Sequence, residues 1–351
     1  MSPRVSIVVV TWNGLALLQR FLPSILATRY PNYEVIVADN ASNDGTVEWI
    51  AKHYPSVRII RHPENWLFAR GNNEAIAQVD SPLVCLLNND VEVPPNWLQP
   101  LVRLLEHSPR TAAVQPKVLQ VNDERVFEYA GASGGFLDRI GYPFARGRMF
   151  TTLEKDIGQY DDRRPVSWAT GACMLIRRNA FESVGGLDER FEMHMEEIDL
   201  CWRLWRHGWS IYVEPESEVY HMGGGSLPQG NPRKTYLNFR NSLLMLYKNT
   251  PPDEWPVTSR LRFRMDRLAM TRLLALGKLS QVTAIRKAHR DARAMFVSYV
   301  GERPSADEPC QMPRYHGLVA MDYFFRRVRS FRDLPAENWT WPSSFQETHS
   351  R

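Results

Sequence analysis

Cysteine is scarce in this chain: four in 351 residues, namely Cys85, Cys173, Cys201 and Cys310, all far apart. No pair has the short spacing of a zinc site, and no disulfide framework can be drawn. That usage fits a reducing compartment. No apolar run is long enough to cross a bilayer. The opening residues, MSPRVSIVVV, run straight into a strand pattern without a signal peptide. The expectation is a cytoplasmic chain whose contact with a membrane, if any, is peripheral. Repeats and low-complexity tracts are missing too, which argues against a solenoid or a disordered chain.

Charge of one sign is not in excess. Lys+Arg 43 against Asp+Glu 39 leaves +4, too little to name nucleic acid as a partner. The distribution says more. Between Arg260 and Arg293 the basic residues are opposed only by Asp266 and Asp291, and Arg326, Arg327, Arg329 and Arg332 form a second cluster. Such faces suit an anionic membrane or a phosphorylated acceptor, and equally a solvated helix.

What is present is a regular alternation. Val5 to Val10 reads as a strand buried on both faces. Helical spacing follows from Asn13 through Leu22. Tyr33 to Ala38 is a second strand, Val57 to Ile60 a third and Pro82 to Leu87 a fourth, with helices predicted over Asp44 to His53 and Phe68 to Val79. Strand-helix-strand repetition predicts an α/β domain with a mostly parallel central sheet flanked by helices. The middle is less regular: Gly131 to Gly147 looks like an excursion, and Val166 to Arg177 returns to strand character. A helix is expected near Glu196 to His207, then a strand over Trp209 to Val213 and a flexible loop at Gly223-Gly224-Gly225. From Tyr236 onward the pattern is helical. We place a boundary near Pro251-Pro252, giving a domain over residues 1–250 (halves at about 1–120 and 121–250) and a helical C-terminal region over 251–351. There Leu261, Met265, Leu268 and Ala269 are spaced as one apolar face amid the arginines.

In an open parallel sheet, ligands bind beyond the carboxyl ends of the strands. Those ends carry Thr11-Trp12-Asn13, Asp39-Asn40, Asn65 and Asn88-Asn89-Asp90. Such a crevice suits a base, a ribose and phosphates. No G-x-G-x-x-G follows the first strand and no P-loop exists, which disfavours dinucleotide oxidoreductases and P-loop enzymes.

The ordered motifs VSIVVVTWNG, EVIVADNASNDGT and LLNNDVEV, then GACMLIRRNAFESVGGLDERFEMHMEEIDLCWRLWRHGWSIYVEPESEVYHMGGGS, resemble family 2 glycosyltransferases over residues 4–247. The resemblance implies the GT-A nucleotide-sugar-binding fold and inverting transfer from a nucleoside-diphosphate sugar with Mg²⁺ or Mn²⁺. Many such members build bacterial polysaccharides, and some transfer rhamnose. It also implies a glycan or lipid-linked acceptor.

By the same resemblance, Asp39 corresponds to the acid that reads the nucleobase or ribose. Thr11 and Asn13 lie in the loop that touches the nucleotide, although Asn13 equally suits a helix cap, as does Asp44. The family's D-x-D appears as Asn88-Asn89-Asp90, with asparagine for the first acid, so Asp90 is the metal candidate. One carboxylate with diphosphate oxygens suffices for such an ion. His221 in YHMGGGS corresponds to the histidine that completes the metal site. The family's E-D pair appears as Glu196-Glu197, which makes Glu197 the general base, with Asp199 the second choice. On a helix Glu197 shares a face with Leu200, Cys201 and Leu204, and partial burial there would raise its pKa. Trp168 and Gly171 fall where members meet the acceptor, though a core tryptophan is as good a reading. Arg240 and Asn241 in YLNFRN also follow a family pattern, as diphosphate contacts or as helix packing. Two rivals stand beside this reading: a non-catalytic sugar-nucleotide binder, since two motif acids are altered, and a sugar nucleotidyltransferase. The latter wants a basic loop after the first strand, which TWNG lacks.

Overall fold

The computed structural model describes residues 2–223, 230–308, 310–343 and 345. The expected glycine loop therefore falls partly outside the described residues, at Gly224 and Gly225. The first half alternates as expected: β1 (Val5–Thr11), α1 (Leu15–Leu26), β2 (Tyr33–Asp39), α2 (Thr46–His53), β3 (Arg58–Arg61), α3 (Leu67–Ile76) and β4 (Leu83–Leu87). β5 (Val91–Glu92), α4 (Leu98–His107), β6 (Thr111–Gln120) and β7 (Asp123–Phe127) follow.

Period-two alternation with both faces covered explains why these runs are mostly apolar. In β1, Ile7 and Val9 pack into one core with Leu18 of α1 and Leu101 of α4. Val8, between them, packs into the other core with Ile36 and Ala75. Both faces are covered, so a polar residue there needs a partner: Ser6 of β1 donates to Glu34 Oε1 at 2.6 Å and meets Ser81 Oγ at 2.7 Å.

The middle of the chain adds β8 (Gly135–Leu137), β9 (Pro143–Ala145), β10 (Arg148–Met149) and β11 (Thr152–Leu153), which form a separate small sheet. β12 (Arg164–Pro165), β13 (Cys173–Arg177), α5 (Arg178–Ser183), α6 (Glu196–Arg206) and β14 (Ser210–His221) return to the main sheet. Its order is β12-β14-β6-β13-β4-β1-β2-β3, with β5 paired to β14 and β7 to β6. β1 runs parallel to β2 and β4, whereas β13 lies antiparallel between β4 and β6. This mixed sheet with helices on both sides is the GT-A fold.

α7 (Pro232–Asn249) opens on Asn231, whose side chain accepts from the Arg233 amide at 2.8 Å. α8 (Trp255–Ala275), α9 (Leu279–Met295), β15 (Arg314–Tyr315), α10 (Val319–Phe324) and β16 (Trp339–Thr340) complete the chain. This last third shares a core with what precedes it. Phe331 and Trp339 lie 5.0 and 5.1 Å from the Phe136 ring of β8, centroid to centroid.

α8 departs from the expected pattern. Its buried residues are Ser259, Arg262 and Asp266, not the Leu261–Ala269 stripe. Arg262 and Asp266 are fully buried and pair at 2.9 Å. Arg262 also donates to Ser242 Oγ at 2.7 Å, and Asp266 meets His289 at 2.8 Å. A buried ion pair with this many partners holds the interior position that leucines ordinarily take.

Candidate active site

The strand ends gather the expected polar residues. Thr11 ends β1 beside Asp39 at the end of β2, in register. The Asn40 amide donates to the Thr11 carbonyl at 2.8 Å, and the His62 amide to the Asp39 carbonyl at 2.8 Å, so three strand ends are stitched together. Asn13, at φ 48, accepts from the Asn43 amide at 2.9 Å and thereby joins the β1 and β2 loops. Asp44 bridges two helix starts, accepting from Leu15 at 3.0 Å and from Thr46 at 3.1 Å. It is a cap. Asn65 accepts from the Leu67 amide at 3.0 Å, so this side chain holds the entry to α3.

Asp39 keeps one oxygen unused. Oδ2 accepts from the Ser42 amide at 3.0 Å, while the buried Oδ1 has no partner among the described residues. Asn40 Oδ1 and His62 Nε2 are buried and unpartnered as well. Buried polar atoms are normally paired, so three orphans at adjoining strand ends mark a place for a polar ligand. Burial lowers the His62 pKa, favouring the neutral ring. His62 escaped the sequence reading, although it follows its strand just as Asp39 does.

Asn89 donates to Thr11 Oγ1 at 2.9 Å, closing the crevice between β1 and β4. Gly14 lets these two meet: a Cβ there would lie 2.1 Å from Thr11 Oγ1 and 2.7 Å from Asn89 Nδ2.

β5 then decides the next contact. It pairs antiparallel with the end of β14, His221 opposite Val91, and so sets Asp90 beside His221. His221 Nε2 lies 2.9 Å from Asp90 Oδ1, and its Nδ1 lies 3.2 Å from Glu128 Oε2. All three are buried. Burial opposes the imidazolium, but Asp90 and Glu128 outweigh it and hold the pKa up at about 10. Among the described residues no three such groups are arranged to cage a metal ion by themselves. The donor set nevertheless fits one of the hard divalent cations, which take few protein ligands and complete their shell from phosphates and water. Asp90 and His221 Nε2 would hold it in place of the proton, and Glu128, 3.2 Å from Nδ1, would orient the ring from behind. Glu128 was not legible beforehand, because no motif surrounds it.

The acidic pair opens α6. Met195 before it is at φ 77, and Glu196 and Glu197 both leave Oε2 buried without a partner. Burial raises both carboxyls; the charge of Glu197 raises Glu196 further, well above the usual range, and Glu197 itself reaches about 7. The pair lies next to the strand ends. The Asn88 amide donates to the Ala172 carbonyl at 3.0 Å, and a Cβ on neighbouring Gly171 would lie 3.7 Å from Glu197 Cβ. Glu197 and the base of the Asn88-Asn89-Asp90 turn thus both approach the Gly171-Ala172 backbone.

A crevice of this composition has known counterparts. The model for glycosyl transferase family 2 matches residues 6–185. The chain is 35% identical over 239 residues to the N-acetylglucosaminyl-diphospho-decaprenol L-rhamnosyltransferase of Mycobacterium tuberculosis, covering 63% of this chain and 76% of that protein. It is 32% identical over 229 residues to the O-antigen biosynthesis protein RfbC of Myxococcus xanthus, covering 63% of this chain and 17% of that protein. Among solved structures, GalNAc-T7 with UDP, GalNAc and Mn²⁺ superposes with a TM-score of 0.57 at 17% identity, covering 85% of this chain and 56% of that one. The chain belongs to glycosyl transferase family 2.

Within this family 2 glycosyltransferase, the segment before the acidic pair is strained. Glu192, His194 and Met195 have φ values of 65, 69 and 77, a region that side chains seldom enter. Asn241 of α7 restrains it, its Nδ2 donating to the carbonyls of Phe191 at 2.8 Å, Met193 at 2.9 Å and His194 at 2.8 Å. Arg240 donates to Asn241 Oδ1 at 2.8 Å, which aims the amide at the loop, and to Glu192 at 2.7 Å. The choice left open for Arg240 and Asn241 is thus resolved toward packing, in the form of a clamp on the loop before Glu196.

Two of the glycosyltransferase's expected site residues are placed elsewhere. Asp199 is fully buried, meeting Arg203 at 2.7 Å and Lys248 at 3.0 Å. Burial alone would raise its pKa, but those cations lower it, so it remains an ion-pair partner with no proton to exchange. Trp168 is buried against Gly135 and donates from Nε1 to the Phe136 carbonyl at 3.0 Å. Its ring faces the core, not an acceptor.

Proposed function

We propose that this glycosyltransferase moves a sugar, with inversion, from a nucleoside-diphosphate donor to a hydroxyl of a lipid-linked glycan in polysaccharide assembly. One observation carries the reading. A partly buried carboxyl, Glu197, with a pKa near 7, approaches the same Gly171-Ala172 backbone as the turn that bears Asp90.

The roles follow from the surroundings of each residue. Asp39 Oδ1, with Asn40 and His62, takes the polar edge of the base or ribose. Asn13, Asn65, Asn88 and Thr11 with Asn89 shape the crevice around the ribose and diphosphate. Asp90 and His221 would hold Mg²⁺ or Mn²⁺, which supplies positive charge against the departing diphosphate. Glu197 takes the acceptor proton as the new bond to the anomeric carbon forms and the bond to the diphosphate oxygen breaks. A single displacement from the opposite face inverts that carbon. Glu196, raised well above the usual carboxylate range by burial and by the neighbouring Glu197, can donate a hydrogen bond to the acceptor when protonated. Gly171, where the resemblance places the acceptor, is buried between Phe68 and Glu197, a Cβ there lying 3.1 Å from the Phe68 ring.

Support for the donor and cation comes from the fold relative solved with UDP, GalNAc and Mn²⁺. Support for the acceptor class comes from the rhamnosyltransferase whose name specifies a diphospho-decaprenol. The test is a panel of nucleotide sugars with Mn²⁺ or Mg²⁺, read by thermal shift and by nucleoside diphosphate released on addition of a polyprenyl-diphosphate sugar. Glu197→Gln should bind donor and fail to transfer. Full transfer by that variant would remove Glu197 from the mechanism, and donor binding without turnover by the unaltered protein would favour a binding protein.

A further inference from the structure

We infer that the outer face of α8, continued by Phe324 and Phe325, docks on an anionic bilayer surface. This rests on surface chemistry alone and requires nothing of the catalytic reading.

α8 is built inside out. Its interior stripe is Ser259, Arg262 and Asp266, while Leu268 is 40% exposed, Leu274 45% and Leu276 56%. Leu279, which opens α9 after the turn, is 64% exposed. A helix that turns an ion pair inward and leucines outward has its apolar face prepared for something other than its own core.

The patch is continuous. Leu268, Arg272 and Leu276 recur at four-residue spacing and so stack on one face. Arg272 lies 4.3 Å from the ring of Phe324, which brings the end of α10 alongside. Phe325 beside it is 60% exposed.

The charge around this patch has one sign. Arg260, Arg264, Arg267 and Lys278 are exposed on α8 and its turn. The sole acid of α8 is Asp266, buried against Arg262. Beyond Phe325 come the exposed Arg326 and Arg327, and the acid of α10, Asp322, is buried and paired with Arg326 at 2.9 Å. Leucine and phenylalanine interleaved with arginine, with the acids within α8 and α10 withdrawn inward, match the boundary between acyl chains and anionic headgroups. No helix among the described residues is long and apolar enough to cross a membrane, so contact here would be with the surface.

The experiment is co-sedimentation of the full chain with phosphatidylcholine vesicles, with and without phosphatidylglycerol. Binding is expected only with phosphatidylglycerol and should weaken as salt rises. Each of Arg267→Ala and Arg272→Ala should lower partitioning roughly fivefold. The pair Leu276→Asp with Leu279→Asp should abolish it while leaving circular dichroism and donor binding unchanged, since both side chains are solvent-facing. No sedimentation of the unaltered protein, or equal sedimentation of the Asp variants, overturns the inference. So does light scattering that shows a dimer which the Asp variants dissolve, because the face would then be occupied by a second copy.

Discussion

The side-chain amide of Asn241 meets the main-chain carbonyl of His194 at 2.8 Å, one residue before the left-handed Met195 that launches α6. A residue on α7 therefore sets where the Glu196-Glu197 pair begins. Asn241→Asp keeps the shape and removes the donor, placing a carboxylate against three carbonyls. We expect a stability loss of about 2–3 kcal/mol, measured by urea unfolding. We also expect kcat to fall by roughly a hundredfold, as for a displaced catalytic group, with the donor KM little changed. A parallel rise in donor KM would place the effect in the nucleotide crevice instead.

Glu197, raised to about 7 by burial, predicts a transfer rate that climbs with pH and levels off above that value. The sign for stability runs the other way. A carboxyl whose folded pKa lies above its unfolded one contributes stability at low pH and loses it as pH rises through the folded pKa. Glu197→Gln should thus melt higher than the unaltered protein at alkaline pH and show no such gain below about pH 4, where both states hold the proton. Its kcat should drop by roughly 10²–10⁴-fold. Scanning calorimetry across pH and a kcat profile check the two halves separately.

Glu128 lies 3.2 Å from His221 Nδ1. If it orients the ring, Glu128→Gln weakens Mn²⁺-dependent donor binding by about ten- to a hundredfold. Titration calorimetry with nucleotide, with and without Mn²⁺, reads this directly. An equal loss in both conditions would show a folding defect and not a positioning role.

Asp199 separates structure from chemistry within one helix. Breaking its pairing with Arg203 and Lys248 by Asp199→Ala should cost about 3–5 kcal/mol. Below its lowered melting temperature the variant should keep the pH profile of transfer. A changed profile would return Asp199 to the catalytic set.

Asp39→Ala removes the orphaned Oδ1 and the bond to Ser42. Nucleotide affinity should fall roughly ten- to a hundredfold, the range for a buried hydrogen bond to a charged group. The free nucleoside should lose as much as the nucleotide sugar, which distinguishes base or ribose recognition from diphosphate recognition.

The strand-end half of the candidate site was legible in the chain because burial on both faces leaves a mark on most residues of a strand. Four apolar runs followed by Thr11, Asp39, Asn65 and Asn88 announce a parallel sheet, and the rule that ligands sit past strand ends places the candidate crevice there. The acidic pair was marked by the family resemblance, and both residues lie on one short helix. The remaining relations join segments that share no pattern. Glu128 reaches His221, Asn241 grips the loop before Glu196, and Lys248 claims Asp199, each through side chains distant in sequence. The orientation of α8 was misleading for the same reason: leucine spacing describes a face but not its neighbour. Arg262 and Asp266 took the interior because Tyr142, Ser242 and His289 were waiting there to satisfy them. Periodicity records which residues lie together on an element; only packing decides what that element meets.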